Sequence, residues 1–257
     1  MRSKPVRPSR PAVIPAVILA AGKGTRMKAP EPKAAVQVGG RPMVARVVSA
    51  MREGGATRVL VVVGHRAADV QAALGPHVEY VVQEEQLGTG HAVRCTEPYL
   101  AGHVGPVLVA YSDIPLLRKR DIAGLIRHHL RTGAAATLLT AVFDEPGMLG
   151  RIVRAPDGSV ARIVEARDAT PEELAIREIN VGVYGFQAPL LFEALAQVTN
   201  DNAQGQYYLT DTIRILVSRG HRVEAVAMEV SHTGMGVDTV EDLARAQRLW
   251  AVDEAVR

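Results

Sequence analysis

From Ala16 onward, short and nearly continuous apolar runs alternate with stretches in which apolar residues recur every three or four positions. The runs AVILA (16–20), RVLVVV (58–63), VEYVV (78–82), PVLVAY (106–111) and AATLLTAV (135–142) predict strands buried on both faces. Between the first two, Met43, Val44, Val47, Val48 and Met51 fall on one helical face, and Gly54-Gly55 ends the helix. AADVQAAL, GHAVRCTEPYL and RDIAGLIRHHLRT fill the next crossovers. Strand and helix in alternation argue for an α/β fold, doubly wound and Rossmann-like, with a mostly parallel sheet.

After Val142 the rhythm changes. GRIVR, the turn APDGS and VARIVEA read as a β-hairpin, because Asp157-Gly158 supplies a tight reversal between two alternating runs. A strand INVGVYGF, a helix over 188–198, a helix near YLTDTIRILVSRG, a strand RVEAVAM and a last helix from Val240 follow. The second half is therefore expected to add a lid or flank beside the parallel sheet. Residues 1–15, rich in proline and arginine, read as a flexible N-terminal tail, and 16–257 as a single domain.

Composition narrows the possibilities. A chain of 257 residues, 47% of them hydrophobic, can bury one full core. A formal charge of +3, from 30 basic and 27 acidic residues, suits an anionic small molecule better than a nucleic-acid backbone. Cys95 is the single cysteine, so neither an internal disulfide nor a cysteine-based zinc site can form, and a reducing cytoplasm is the expected setting. PAVIPAVILAAG is broken by prolines, unlike a cleaved signal, and no apolar run approaches the roughly 20 residues a membrane helix needs. A homo-oligomer is compatible with the chain.

The loop LAAGKGTRMKAPEPK (19–33) leaves the carboxyl end of the first strand, where open parallel sheets bind ligands. Gly22 and Gly24 allow close backbone approach to an anion, while Lys23, Arg26 and Lys33 can neutralise phosphate oxygens. The P-loop spacing is not met, and Met27 stands where a dinucleotide fingerprint has its third glycine. By itself the loop reads equally as a phosphate cradle or an ordinary turn.

LAAGKGTRM followed by PK resembles the signature of sugar-1-phosphate nucleotidylyltransferases. QEEQLGTGHAV narrows the resemblance to the uridylyltransferase part of the bacterial bifunctional N-acetylglucosamine-1-phosphate uridyltransferases. GRIVR, IVEARDAT, EINVGVYGF and NDNAQGQYYLTD resemble that family in the same order, over roughly 16–242. The resemblance implies a nucleotidyltransferase fold and Mg²⁺-dependent transfer from UTP to a sugar-1-phosphate, most simply GlcNAc-1-phosphate. The family's second domain is a β-helix of hexapeptide repeats; residues 1–257 show no such repeat, so the chain is expected to lack acetyl transfer.

Carried over by resemblance, Leu19, Ala20, Ala21 and Gly22 approach the base and ribose. Gln83, Gln86, Gly88 and Thr89 read the uracil, and Arg26 and Lys33 hold the triphosphate and sugar phosphate. Tyr111, Gly150, Glu165 and Asn180 meet the sugar. Asp113 is the metal-binding aspartate, and Asp238 takes the place of an asparagine that supplies the second metal ligand. Read from the residues alone, either aspartate could instead cap a helix, and Gln83 and Gln86 could be solvated loop residues.

Three departures weaken the sugar assignment in favour of a different sugar or polyol phosphate: Ser112 for a glycine, Leu149 for an aromatic residue and Arg167 for a lysine. Within enzymes the nearest rival uses another nucleotide or another phosphorylated sugar on the same scaffold. A nucleotide-sugar binding protein without turnover is the rival from another class. His128-His129 reads as a surface pair, His91 as structural or near the ribose, Tyr207 and Tyr208 as fixing the loop, and Cys95 as core rather than nucleophile.

Overall fold

The computed structural model describes residues 13–255 apart from Thr25 and Lys28, so most of the expected tail lies outside the described residues. The elements run β1 (Pro15–Leu19), β2 (Gln37–Val38), β3 (Arg41–Pro42), α1 (Met43–Gly54), β4 (Arg58–Val63), α2 (Ala67–Leu74), β5 (Glu79–Val82), α3 (Thr89–Arg94) and β6 (Pro106–Tyr111). They continue with α4 (Lys119–Thr132), β7 (Ala136–Val142), β8 (Arg151–Arg154), β9 (Val160–Val164), α5 (Pro171–Leu174), β10 (Glu178–Gln187), α6 (Ala188–Leu195), α7 (Asp211–Ser218), β11 (Val223–Ala227) and α8 (Val240–Ala255).

The core begins earlier than the boundary at residue 16. Ile14 is buried, and its carbonyl accepts the Thr57 N–H at 2.9 Å, extending the pairing of β1 with β4. Pro15 opens the strand, the position where a missing N–H does least harm.

The main sheet has the order β11-β7-β10-β6-β1-β4-β5. β1, β4, β5 and β6 run parallel, as do β7 and β11. β10 runs antiparallel between β6 and β7, and the hairpin β8-β9 hangs from its start. The hairpin is the flank expected from sequence, but β10 lies at the centre of the sheet. Its residues from Ile179 to Phe186 are all buried, which requires sheet neighbours on both edges and helices on both faces.

Alternate side chains of β1 enter opposite layers, as strand geometry demands. Val17 and Leu19 pack with α3, α6 and α7, while Ala16 and Ile18 pack with α1, α2 and α4. Each buried aliphatic side chain contributes about 1.5–3 kcal/mol, so the two layers carry most of the driving force. A third, smaller core joins Met27, Val36 and Val38 to Met235, Val237 and Ala246, closing α8 over the first loop. Trp250 of α8 lies against Gly39, where a Cβ would come within 2.3 Å of its ring.

His129 is not on the surface. It shares the buried face of α4 with Ile122 and Leu125 at helical spacing, is 1% exposed, and its Nδ1 lies 2.9 Å from Thr137 Oγ1. His128 points outward to Glu224, at 3.1 Å. Cys95 follows α3, half-buried against the core.

Candidate active site

Leu19 and Tyr111 are paired in register at the ends of parallel strands β1 and β6, so the loops after both open on one edge of the sheet. The Ser112 N–H donates to the Leu19 carbonyl at 3.2 Å and ties the two exits together. A Cβ added to Gly22 would meet nothing within 4 Å, so this backbone faces open space. Gly24 adopts φ +59°, and a Cβ there would lie 2.5 Å from Lys33 Cβ; the turn presses the loop onto Lys33. Gly64 plays the matching part after β4, since a Cβ there would come within 2.8 Å of Gln86 Nε2.

A cavity of about 680 Å³ opens at this edge, and every site residue expected from sequence lines it. Leu19, Ala20, Ala21 and Gly22 form one wall with Gln83, Gln86, Gly88 and Thr89. Gly150, Glu165, Asn180 and Tyr111 line the same cavity. Arg26, Lys33, Asp113 and Asp238 make up the charged floor.

On the first wall, Gln83 is 3% exposed and not a solvated loop residue. Its Nε2 donates to the Gly88 carbonyl at 3.1 Å and lies 3.0 Å from His91 Nδ1. Gln86 Nε2 donates to the Gln83 carbonyl at 2.9 Å. The segment is pinned from behind: Gly90 N–H donates to Tyr207 O at 2.7 Å, and Leu209 N–H to Thr89 Oγ1 at 2.9 Å.

The Asn180 N–H donates to the Gly150 carbonyl at 2.9 Å, joining two of the expected sugar contacts. Glu165 Oε1 accepts from Thr210 Oγ1 at 2.9 Å. Burial pushes the Glu165 carboxyl above its ordinary pKa, Asp168 and Asp211 add to the rise, and the Thr210 bond opposes it.

On the floor, the Lys33 ammonium bonds to both Asp113 and Asp238, and Arg26 reaches Asp238 at 2.9 Å. Burial lowers the Lys33 pKa, but the two carboxylates more than offset it and leave it raised. Burial raises Asp238, and Lys33 and Arg26 together bring it below the ordinary value. Neither aspartate caps a helix. Thr239 and Asp242 cap α8 by exchanging side-chain bonds, and Asp121 accepts from the Arg118 N–H at the start of α4.

Gln204 and Gln206, which carry no motif of their own, also line the cavity. Their loop is held by Asn202 Oδ1, which accepts from both backbone N–H groups at 3.2 Å. The Asn-rich stretch before Gly205 was the available signal of an ordered turn. The three departures also face the cavity: Ser112, Leu149 and Arg167.

A mostly parallel α/β sheet, with a cationic glycine loop after its first strand and two carboxylates facing it, is the architecture of a nucleotidyltransferase. The chain belongs to the MobA-like NTP transferase domain family, whose model matches residues 16–216. The bifunctional protein GlmU of Exiguobacterium sibiricum is 50% identical over 232 residues, 90% of this chain and 52% of that protein. GlmU of Geobacillus sp. (strain WCH70) is 47% identical over 234 residues, 91% of this chain and 51% of that protein. The chain thus spans about half the length of the curated relatives it matches. UDP-glucose pyrophosphorylase, solved in complex with UDP-glucose, shares the fold with a TM-score of 0.74 and 17% identity, over 94% of this chain and 100% of that one.

Proposed function

We propose that the chain transfers the uridylyl group of UTP to a sugar-1-phosphate, GlcNAc-1-phosphate before others, and releases pyrophosphate. One observation carries the reading: a single cavity is lined by the glycine loop, by Glu165 and Asn180, and by Lys33 bonded to Asp113 and Asp238. Such a site can hold two phosphorylated ligands with their phosphates meeting over the charged floor.

In this reaction an oxygen of the sugar phosphate attacks the α-phosphorus of UTP, the bond from that phosphorus to the β-phosphate oxygen breaks, and pyrophosphate departs. The attacking phosphate is already anionic at neutral pH, so no side chain need act as nucleophile or base. What the protein supplies is alignment and positive charge. Arg26 and Lys33 offset charge on the triphosphate and the incoming phosphate. Gly22 lets the backbone approach the nucleotide, and Gln83, Gln86, Gly88 and Thr89 offer the base a rigid edge of amide and backbone groups. Glu165, Asn180 and the Gly150 backbone serve the sugar's hydroxyl and amide groups.

Asp113 and Asp238 fit a magnesium ion. They are oxygen donors that already face a cation, Lys33, and magnesium commonly takes only one or two carboxylates beside substrate phosphates and water. Among the described residues no group of three or more His, Cys, Asp or Glu side chains could hold a metal, so substrate oxygens would complete the ligand set. When bound, the ion supplies charge neutralisation between the two phosphates.

Among the described residues no helix is long and apolar enough to cross a membrane. A cytoplasmic setting agrees with the single, unpaired cysteine.

The test is pyrophosphate release with each NTP in turn, crossed with GlcNAc-1-phosphate, glucose-1-phosphate and related phosphates in the presence of Mg²⁺. A selective signal with UTP and GlcNAc-1-phosphate is expected. Leu149 and Ser112 on the cavity wall favour a second reading, in which another phosphate is the better acceptor; a different winning pair would establish it. Binding of a UDP-sugar without pyrophosphate release from any pair would leave a binding protein.

A further inference from the structure

Tyr184 lies in the middle of β10 with no exposed surface, among apolar side chains and 5.6 Å from the Phe186 ring. Its hydroxyl nevertheless has a polar partner. Asn180 Nδ2 donates to it at 2.7 Å. The two tyrosine rings meet edge to face, with centroids 6.3 Å apart.

The backbone is shaped to allow this. β10 slips in register between Asn180 and Tyr184, and Gly182 adopts φ +80° there. A Cβ on Gly182 would lie 2.5 Å from the Tyr111 ring. The Gly182 N–H donates to Asn180 Oδ1 at 3.2 Å. An asparagine amide has nearly the same shape either way round, and these two bonds choose one orientation: oxygen toward Gly182, nitrogen toward Tyr184. The second Nδ2 hydrogen and the remaining oxygen lone pair are left for the cavity.

Phenylalanine would fill the same space, and a buried hydroxyl is unfavourable unless it is bonded. The Tyr184 hydroxyl is thus accounted for by Asn180, which it orients and which lines the cavity. We propose that Tyr184 is a positioning residue for the sugar-phosphate side of the cavity, acting through Asn180 without touching substrate. This rests on the function proposed above, in which Asn180 serves the sugar.

The test is a double-mutant cycle on the KM for the sugar-1-phosphate, with parent, Tyr184→Phe, Asn180→Ala and the double variant. Loss of one neutral hydrogen bond corresponds to a rise in KM of about fivefold for Tyr184→Phe, with kcat and the KM for UTP near parent values. In the Asn180→Ala background the same substitution is expected to change KM less than about twofold. Independent, multiplying effects would show that Tyr184 does not act through Asn180 and would overturn the proposal. A second measurement needs no substrate: hydrogen exchange of the Asn180 side-chain amide, followed by NMR, should quicken at least about tenfold in Tyr184→Phe. Unchanged exchange overturns the orientation argument. If the parent releases no pyrophosphate from any pair while the exchange difference is present, the catalytic reading fails and the hold of Tyr184 on Asn180 stands.

Discussion

The Lys33 ammonium and the Asp238 carboxylate are 205 positions apart in the chain and 2.5 Å apart in the fold. Their meeting is enforced from both sides. The Val237 N–H donates to the Asp113 carbonyl at 2.9 Å, which sets Asp238 beside the second acid. Gly24 and Met27 hold the first loop down onto the same floor. Thr239 takes over the capping of α8, leaving the Asp238 side chain to the charged cluster.

The two acids should therefore differ in how they respond to substitution. Asp113→Ala is expected to lower kcat by about 10²–10³, because it removes a charged oxygen donor facing the phosphates. Asp238→Asn keeps an oxygen donor and should retain at least about a tenth of parental turnover. Chelation of divalent cations should stop pyrophosphate release, and added Mg²⁺ restore it. Parental turnover by Asp113→Ala would remove that residue from the metal site.

Gln83→Ala should weaken base selection more than turnover. Its Nε2 also fastens the Gly88 carbonyl, so the substitution takes away a contact and loosens the segment around it. The preference for UTP over CTP, read as a ratio of kcat/KM, is expected to fall by about tenfold. An unchanged ratio would exclude the base contact.

Arg151 is 3% exposed and spends its guanidinium on carbonyls of Gly147, Leu149 and Leu174. It thereby staples the loop that brings Leu149 and Gly150 to the cavity. Lysine cannot reproduce the planar fork, so Arg151→Lys should lower stability by about 2 kcal/mol in urea unfolding and raise the KM for the sugar phosphate. A stability within about 0.5 kcal/mol of the parent would mean the fork is dispensable.

Arg66 holds φ 54°, alone among the described non-glycine residues in taking a positive value. Its side chain bonds to Asp69 and to the Pro30 carbonyl. Arg66→Ala loses those bonds and keeps the strain; Arg66→Gly loses them and relieves it. Glycine is expected to be the more stable of the two variants by about 1 kcal/mol, measured by thermal unfolding. Equal stability would show that the backbone at this position is unstrained.

Burial, helped by neighbouring His128, holds His129 below the ordinary histidine pKa of 6.5. The folded protein keeps this imidazole neutral where the unfolded chain takes up a proton, so stability is full above about pH 6.5 and falls as pH drops below it. His129→Gln removes that proton linkage. Between about pH 7.5 and pH 5.5 its melting temperature should fall less than the parent's. Identical slopes would assign acid sensitivity to other groups.

The parallel strands were legible because each is an apolar run long enough to be read by itself, and RVLVVV and PVLVAY appear as expected in β4 and β6. The glycine loop was legible for a similar reason, since its residues act on one another within a few positions. β10 is legible as a strand but its central place is not, because a sequence pattern says that EINVGVYGFQ is buried without saying which neighbours bury it. The charged neighbours of His129 suggest exposure, whereas the 122, 125, 129 spacing puts it on the apolar face.

By itself the sequence determined what each segment does within a few residues: strand or helix, turn or cap, and which chemical groups the loops carry. The tertiary structure decided which groups meet. Asp238 as cap or floor of the cavity, Gln83 as solvated or buried, and Tyr184 as filler or anchor were all locally permitted. These choices depend on contacts between residues far apart in the chain, whose energies exist only once the sheet has brought them within a few ångströms.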